Sequence, residues 1–306
     1  MKTKVTIIGA GRIAYSITSA LIKNNYGIVS VISRNVNSAK MLAQKFSIKN
    51  YSNDFLDIPK TTKLFFLSVP DSEIKKAAKT LSHQRLNFKN KYFIHLSGSE
   101  NIKALNFLKQ KGGITASIHP MQTFPSRKIV SLKNVYAAVE TIKEKHIQYL
   151  SKLCKNLEMI PFRIKSDQKT FYHLAGVYAS NFLAGNLFVA RKMLMQNDIP
   201  EKIYFNILSS TIDSTLDNVN KVGPAKALSG PVERGDIQTI KKHISSLKKM
   251  IKKPDGNYFL LQLKNYIVQS INLLSLVEEK QGKLRDIHLQ IKKILVRELR
   301  NLKDSN

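Results

Sequence analysis

The chain has 306 residues, 43% of them hydrophobic, and a single cysteine, Cys154. That length suits two ordinary domains, the composition excludes a disordered or collagen-like polymer, and one cysteine excludes an internal disulfide and a cysteine-based metal site. Fifty lysines and arginines against 21 acidic residues leave a formal net charge of +29, which points either to an anionic partner or to lysine-rich solvated faces.

The opening MKTKVTIIGAGRIAYS reads as a strand, a glycine turn and a helix rather than as a leader peptide. No run along the chain approaches the roughly 18 apolar residues of a spanning helix, so a cytoplasmic protein with no membrane partner is expected. Gly9-Ala10-Gly11-Arg12-Ile13-Ala14 follows the first strand and opens the helix. This is the context of a dinucleotide fingerprint: Gly9 for the tight turn, Gly11 for close approach of a pyrophosphate, and small Ala14 for helix–strand packing. An ordinary glycine turn is the competing reading.

The second strand, GIVSVIS, ends in Ser33-Arg34-Asn35, where a site for NAD commonly carries a carboxylate. A hydroxyl donor and a guanidinium suit a 2′-phosphate, so NADP(H) is expected over NAD(H). Alternatively Arg34 is a plain surface residue. KLFFLSVP ends in Ser68-Val69-Pro70-Asp71, a turn expected to border the nicotinamide ribose, with Asp71 read first as the cap of the next helix.

KYFIHLSG and ITASIHP bring His95-Leu96-Ser97-Gly98-Ser99 and Ser117-Ile118-His119-Pro120 to the same strand ends. Pro120 biases His119 toward an extended backbone. Hydride transfer to or from C=O or C=N needs a proton at the heteroatom, and histidine titrates in the useful range. His119 is therefore the candidate acid/base, with Ser97 beside it, whereas His95 reads as a strand residue. NVYAAVE completes the strands. Between them, RIAYSITSALIKNN, NSAKMLAQKF, DSEIKKAAKTL and ENIKALNFLKQKG have helical periodicity. The alternation predicts an α/β fold, a Rossmann-like doubly wound parallel sheet over residues 1–164.

From 165 to 306 the strand signal fades and an all-helical second domain is expected. Its first helix, QKTFYHLAGVYASNFLAGNLFVARKML, carries Lys169, His173, Val177 and Asn181 in one stripe. The stripe faces solvent, which a segment apolar all around argues against, or lines a site, or its polar groups make satisfied core hydrogen bonds, since burying them unpaired costs about 1–3 kcal/mol each. GPAKALSGPVERGD then supplies Ser229 and Arg234. Arg234 is either a clamp for a substrate carboxylate or phosphate, or part of a turn with Asp236 capping the next helix. IKKHISSLKKMIKK keeps apolar residues at helical spacing among its lysines, without aromatic-basic stacking motifs, so no specific nucleic-acid partner is expected.

GAGRIA, SVPD, HLSGS, SIHPMQTF, YHLAGVYASN and GPAKALSGPVERGD together resemble a bacterial family of oxidoreductase-like proteins, domain-of-unknown-function family 2520. The resemblance spans most of the chain. It implies a Rossmann-like NADP-binding domain followed by a helical domain similar to the carboxyl-terminal domain of 6-phosphogluconate dehydrogenase, with dimerisation through that domain. It also implies kinship in fold with pyrroline-5-carboxylate reductase, prephenate dehydrogenase and deazaflavin-dependent NADP reductase. His119-Pro120-Met121 is similar to a prephenate dehydrogenase tripeptide whose histidine assists substrate oxidation. β-Hydroxyacid dehydrogenases place a lysine four residues before an asparagine; here Asn181 would be that asparagine, and Val177 stands at the lysine position. The resemblance supplies no substrate.

The expectation is an NADP(H)-dependent oxidoreductase acting on a small anionic substrate in a cleft between the domains, without a metal. Gly9, Ala10, Gly11, Arg12, Ile13, Ser33, Arg34, Ser68, Val69 and Pro70 are expected to bind the cofactor. His119, Ser97, His173 and Asn181 are the expected catalytic set, and Ser99, Ser229 and Arg234 the substrate-binding one. The alternative is a non-catalytic NADP-binding regulator.

Overall fold

In a computed structural model, residues 2–197 and 199–302 are described. The chain divides into two units, Met1–Ala184 and Gly185–Asn306.

The first unit is built on strands β1 (Lys4–Ile8), β2 (Gly27–Ile32), β3 (Tyr51–Ser52), β4 (Leu64–Leu67), β5 (Tyr92–His95), β6 (Ile114–Pro120), β7 (Tyr136–Thr141) and β8 (Ile160–Arg163). Helices α1 (Arg12–Lys23), α2 (Val36–Lys45), α3 (Asp71–Ser82), α4 (Asn106–Gln110) and α5 (Glu144–Asn156) connect them. The strands form an eight-stranded sheet in the order β3-β2-β1-β4-β5-β6-β7-β8. β1 to β6 run parallel, β7 pairs antiparallel with β6, and β8 is parallel to β7. The parallel, doubly wound sheet read from the strand–helix alternation is present.

Central strands such as Leu64–Leu67 are buried along their whole length because helices cover both faces. Alternate side chains serve opposite faces. Ile7, Phe66 and Ile94 join α1, α2 and α5 in one core, while Ile8, Phe65, Leu67 and Phe93 join α3 and α4 in the other. Two strands escape a reading by pattern. β3 has only two residues, and β8 is a short edge strand that tolerates Pro161. The stretch ENIKALNFLKQKG is not one helix: it makes a 3-10 turn, Ile102–Leu105, and then the short α4.

The first unit continues beyond β8 into α6 (Lys169–Val177) and a π-helical turn, Tyr178–Phe182, leading into α7 (Leu183–Leu194). The second unit contains α8 (Tyr204–Ala227), α9 (Pro231–Arg234), α10 (Ile237–Ile251), α11 (Gly256–Gln281) and α12 (Asp286–Asn301). Ile240, Ile244, Leu263, Ile267, Ile291 and Leu295 form its core. α8 breaks at Gly223, whose φ of 80° and ψ of 163° are not helical, just where Gly223-Pro224 predicts an end. Asp236 caps α10 by accepting from the Thr239 amide at 3.0 Å. Among the described residues no helix is long and apolar enough to cross a membrane.

Candidate active site

β1 and β4 are neighbours, yet the chain leaves β1 toward β2 on one side and later continues from β4 toward β5 on the other. Ligands of open α/β sheets bind at such a switch, outside the carboxyl ends of the strands. Gly9 sits there with φ +94°, and a Cβ on it would stand 2.6 Å from the Ser68 carbonyl oxygen. A Cβ on Gly11 would stand 3.2 Å from the same atom. The Ser68 hydroxyl donates to the Gly9 carbonyl at 2.8 Å and ties the two strand ends together. Gly11 has no side chain to cap α1; the Ala14 amide donates to the Gly11 carbonyl at 3.1 Å, and the amides of Arg12 and Ile13 suit an external acceptor.

A pocket of about 680 Å³ opens at this point. Gly9, Ala10, Gly11, Ser33, Arg34, Ser68, Val69 and Pro70 all line it. Ile13 instead packs its side chain against the core, and Arg12 turns toward a second pocket. Arg34 lies in an ion pair with Glu73 at 2.9 Å, on the pocket wall. Asn35 accepts from the Ser38 amide and starts α2. The residue missed by sequence reading is Arg127, which donates to the Ser38 hydroxyl at 3.1 Å and lines the same pocket. It comes from the loop after β6, and no motif marks it.

The second pocket, of about 490 Å³, is lined by Arg12, His119, Met121, His173, Ser180 and Asn181, among others. Residue 98 must be glycine for its central contact: a Cβ there would lie 2.7 Å from Nε2 and Cε1 of His119, and 2.8 Å from Cδ2 of His173. Gly176 likewise admits Met121, whose sulfur would meet a Cβ at 2.9 Å. The His119 and His173 rings lie 6.2 Å apart. Asn181 is exposed on the π-helical turn, where its Oδ1 accepts from the Ser180 hydroxyl at 3.0 Å.

His119 Nδ1 lies 3.2 Å from the Tyr172 hydroxyl, which itself lies 3.2 Å from the His119 carbonyl oxygen. Tyr172 has one proton for two acceptors at equal distance. With that proton on the carbonyl, Nδ1 donates and the Nε2 lone pair is free; with it on Nδ1, Nε2 carries the ring hydrogen. Burial pulls His119 down to about 4, with the Lys169 and His173 charges adding to it and Asp71 opposing. The ring is neutral near pH 7, not the half-titrated imidazole that its ordinary value suggests. Burial pushes Tyr172 up to about 12.

Ser97 stands in the loop after β5 and is not among the residues lining the His119 pocket. Its oxygen accepts from the amides of Ser99 and Glu100 at 3.2 and 2.9 Å, and so holds the loop in shape. Ser99 donates to Asp71 at 2.7 Å, while Pro70, not Asp71, takes the cap position of α3. The capping role read for Asp71 is thus replaced by a tie to the Ser99 loop. His95 is fully buried, as a strand residue should be, and is pulled down to about 3, chiefly by burial. Ser229 and Arg234 are exposed residues of the second unit, at and just before α9.

Lys169 and Glu140 were not anticipated as a pair. They lie 3.3 Å apart, with side chains 1% and 3% exposed. The antiparallel register sets Glu140 opposite Ser117, two residues before His119. Among the described residues no cluster of three or more His, Cys, Asp or Glu side chains is arranged for a metal ion.

These features define an α/β protein with a dinucleotide-type glycine cradle and a histidine pocket beside it. Residues 1–120 match the family model of a Rossmann-like domain, and residues 135–258 match domain of unknown function DUF2520. Both parts of the resemblance read from the motifs are present. No curated protein matches the sequence. Among solved structures, a Bacteroides fragilis protein provisionally named an NADP oxidoreductase is 25% identical, with a TM-score of 0.72 over 89% of this chain and 98% of that one. A Thermotoga maritima protein is 23% identical, with a TM-score of 0.66 over 90% and 99%. A reductive aminase of Aspergillus terreus, in complex with NADPH and ethyl-5-oxohexanoate, is 11% identical, with a TM-score of 0.58 over 98% and 95%.

Proposed function

We propose that the protein is an NADP(H)-dependent oxidoreductase that moves a hydride to or from a C=O or C=N bond of a small anionic substrate. One observation carries this reading. Gly11 lines the glycine cradle and the next residue, Arg12, lines the His119 pocket, so the two pockets stand one residue apart on the carboxyl edge of one sheet.

The residues fit the cofactor. Gly9 and Gly11 keep open a space that side chains would fill, and the α1 amides suit a pyrophosphate. Ser33, Arg34 and Arg127 offer a hydroxyl and two guanidiniums for a 2′-phosphate. When bound, the nicotinamide supplies or accepts the hydride. His119 Nε2 takes the proton of an alcohol or amine during oxidation and returns it during reduction. His173 borders the same space, Asn181 offers an amide to the reacting group, and Arg12 supplies a positive charge for an anionic substrate. The provisional name of the Bacteroides fragilis protein and the NADPH complex of the aminase support the cofactor assignment.

Screening carbonyl, imine, alcohol and amine compounds against NADPH and NADP⁺, at the reduced-nicotinamide absorbance band, tests the proposal. Turnover that His119→Ala abolishes while cofactor binding persists supports it. Tight binding with no turnover across the screen favours the regulator. A homodimer formed through the second unit is part of the reading: α8 leaves Phe205 and Leu216, eleven residues and about three turns apart on one side of the helix, exposed for a second copy to cover. Sedimentation at monomer mass would remove it.

A further inference from the structure

The Lys169–Glu140 pair is the most deeply buried charge in the first unit that the proposed chemistry leaves without a role. The Lys169 ammonium is fully committed: besides Glu140, it donates to the Ser117 hydroxyl at 2.8 Å and the Ser97 carbonyl at 3.1 Å. Glu140 in turn accepts from the hydroxyls of Ser117 and Ser166 and from the Ile102 amide. A buried pair satisfied this completely is no surface accident, because two desolvated charges are costly unless every lone pair and proton is used.

Each partner is tied to the histidine pocket. Ser97 precedes Gly98, the residue against which the His119 ring packs. Ser117 precedes His119 by two residues on β6. Tyr172 and His173 follow Lys169 by three and four residues, one helical turn along α6. One ammonium thus joins β5, β6 and α6 directly beneath the site.

We propose that Lys169 is a positioning residue: it locks the Gly98 loop, the end of β6 and α6 into one arrangement and holds His119 as a neutral acceptor, so that the substrate group at Nε2 is a hydrogen donor, an alcohol or an amine. This rests on the reading of His119 as the group that handles the proton. The charged and titratable groups facing the ring are Lys169, Tyr172 and His173 from α6, Asp71 from α3 and His95 from β5, with Arg12 of α1 in the same pocket. Lys169 and His173 oppose a proton on the ring and Asp71 favours one, consistent with the direction of its shift.

Histidine-selective ¹⁵N labelling of the full chain, with His119 assigned through His119→Gln, reads both the tautomer and the titration. The wild-type ring is expected as Nδ1–H with a midpoint about 4. In Lys169→Met the midpoint rises by about one pH unit, as loss of a neighbouring like charge requires. Should that variant fail to fold, Lys169→Met/Glu140→Leu removes both charges and the tie to Ser97 and Ser117 together and is read on the tautomer: a ring that keeps the wild-type Nδ1–H form unchanged overturns the positioning role. A wild-type ring protonated on Nε2, or a midpoint that stays put once the cation is gone, overturns the proposal. The readout needs no substrate, so a chain that never binds NADPH would sink the proposed function while leaving this result standing.

Discussion

Gly98 and His119 are packed so closely that a single methyl group on residue 98 would lie 2.7 Å from the imidazole Nε2. The atoms it would strike belong to side chains, the rings of His119 and His173, not to backbone. Gly98→Ala is therefore expected to displace the rings rather than unfold the protein. Displacement of a reacting group by about 1 Å costs roughly 10²-fold in rate. Turnover should fall by about that factor with little change in melting temperature or NADPH affinity. Full activity in the variant would show that the ring position is immaterial.

Gly9 presents the opposite case. Its φ of +94° disfavours any side chain, and the atom that a Cβ would meet, at 2.6 Å, is the Ser68 carbonyl oxygen of the backbone. Strain in such a conformation costs about 1–3 kcal/mol, before any displacement of the β4 end. Gly9→Ala should lower the melting temperature and abolish cofactor binding together, measured by calorimetry and by nicotinamide fluorescence.

Arg34 and Arg127 flank the pocket differently. Arg34 already has a carboxylate partner, Glu73, whereas Arg127 donates to a neutral hydroxyl and a thioether sulfur. Both substitutions to Ala are expected to weaken NADPH far more than NADH. Glu73→Gln, which releases Arg34, is expected to tighten NADPH. The exposed pair itself should be worth no more than about 1 kcal/mol of stability. Fluorescence titrations with both reduced cofactors decide; equal losses for the two would dismiss a 2′-phosphate contact.

Acid stability follows from the histidines with a definite sign. The folded-state value of His119 is depressed to about 4, below the ordinary 6.5 expected when unfolded. In between, the unfolded chain binds the extra proton, so stability is fully present above about 6.5 and is lost as pH falls toward 4. His95, depressed to about 3, extends the loss further down. Urea unfolding between pH 7 and 4 should show this slope, and His119→Gln should make it shallower by up to one proton. An unchanged slope would place the His119 ring in a far more solvated setting.

Much of the sheet could be read from the residues. Parallel central strands are apolar along their length, so KLFFLSVP and KYFIHLSG announce themselves. The glycine cradle was equally legible, because only glycine accepts the Gly9 backbone. β3 and β8 were not, being a two-residue strand and an exposed edge that carry no such pattern. Nor was Arg127 legible, since its part depends on where the loop after β6 returns along the pocket.

The sequence alone determined the class of fold, the position of the cradle and the candidacy of His119, because those depend on local periodicity, glycine and proline. The tertiary structure decided what His119 is. Antiparallel pairing of β7 with β6 sets Glu140 opposite Ser117, and α6 lowers Lys169 onto that pair and Tyr172 onto the imidazole. These partners lie 21 to 53 residues away from His119 in sequence, so no spacing rule reveals them. The burial and charge they bring together turn an ordinary histidine into a neutral imidazole.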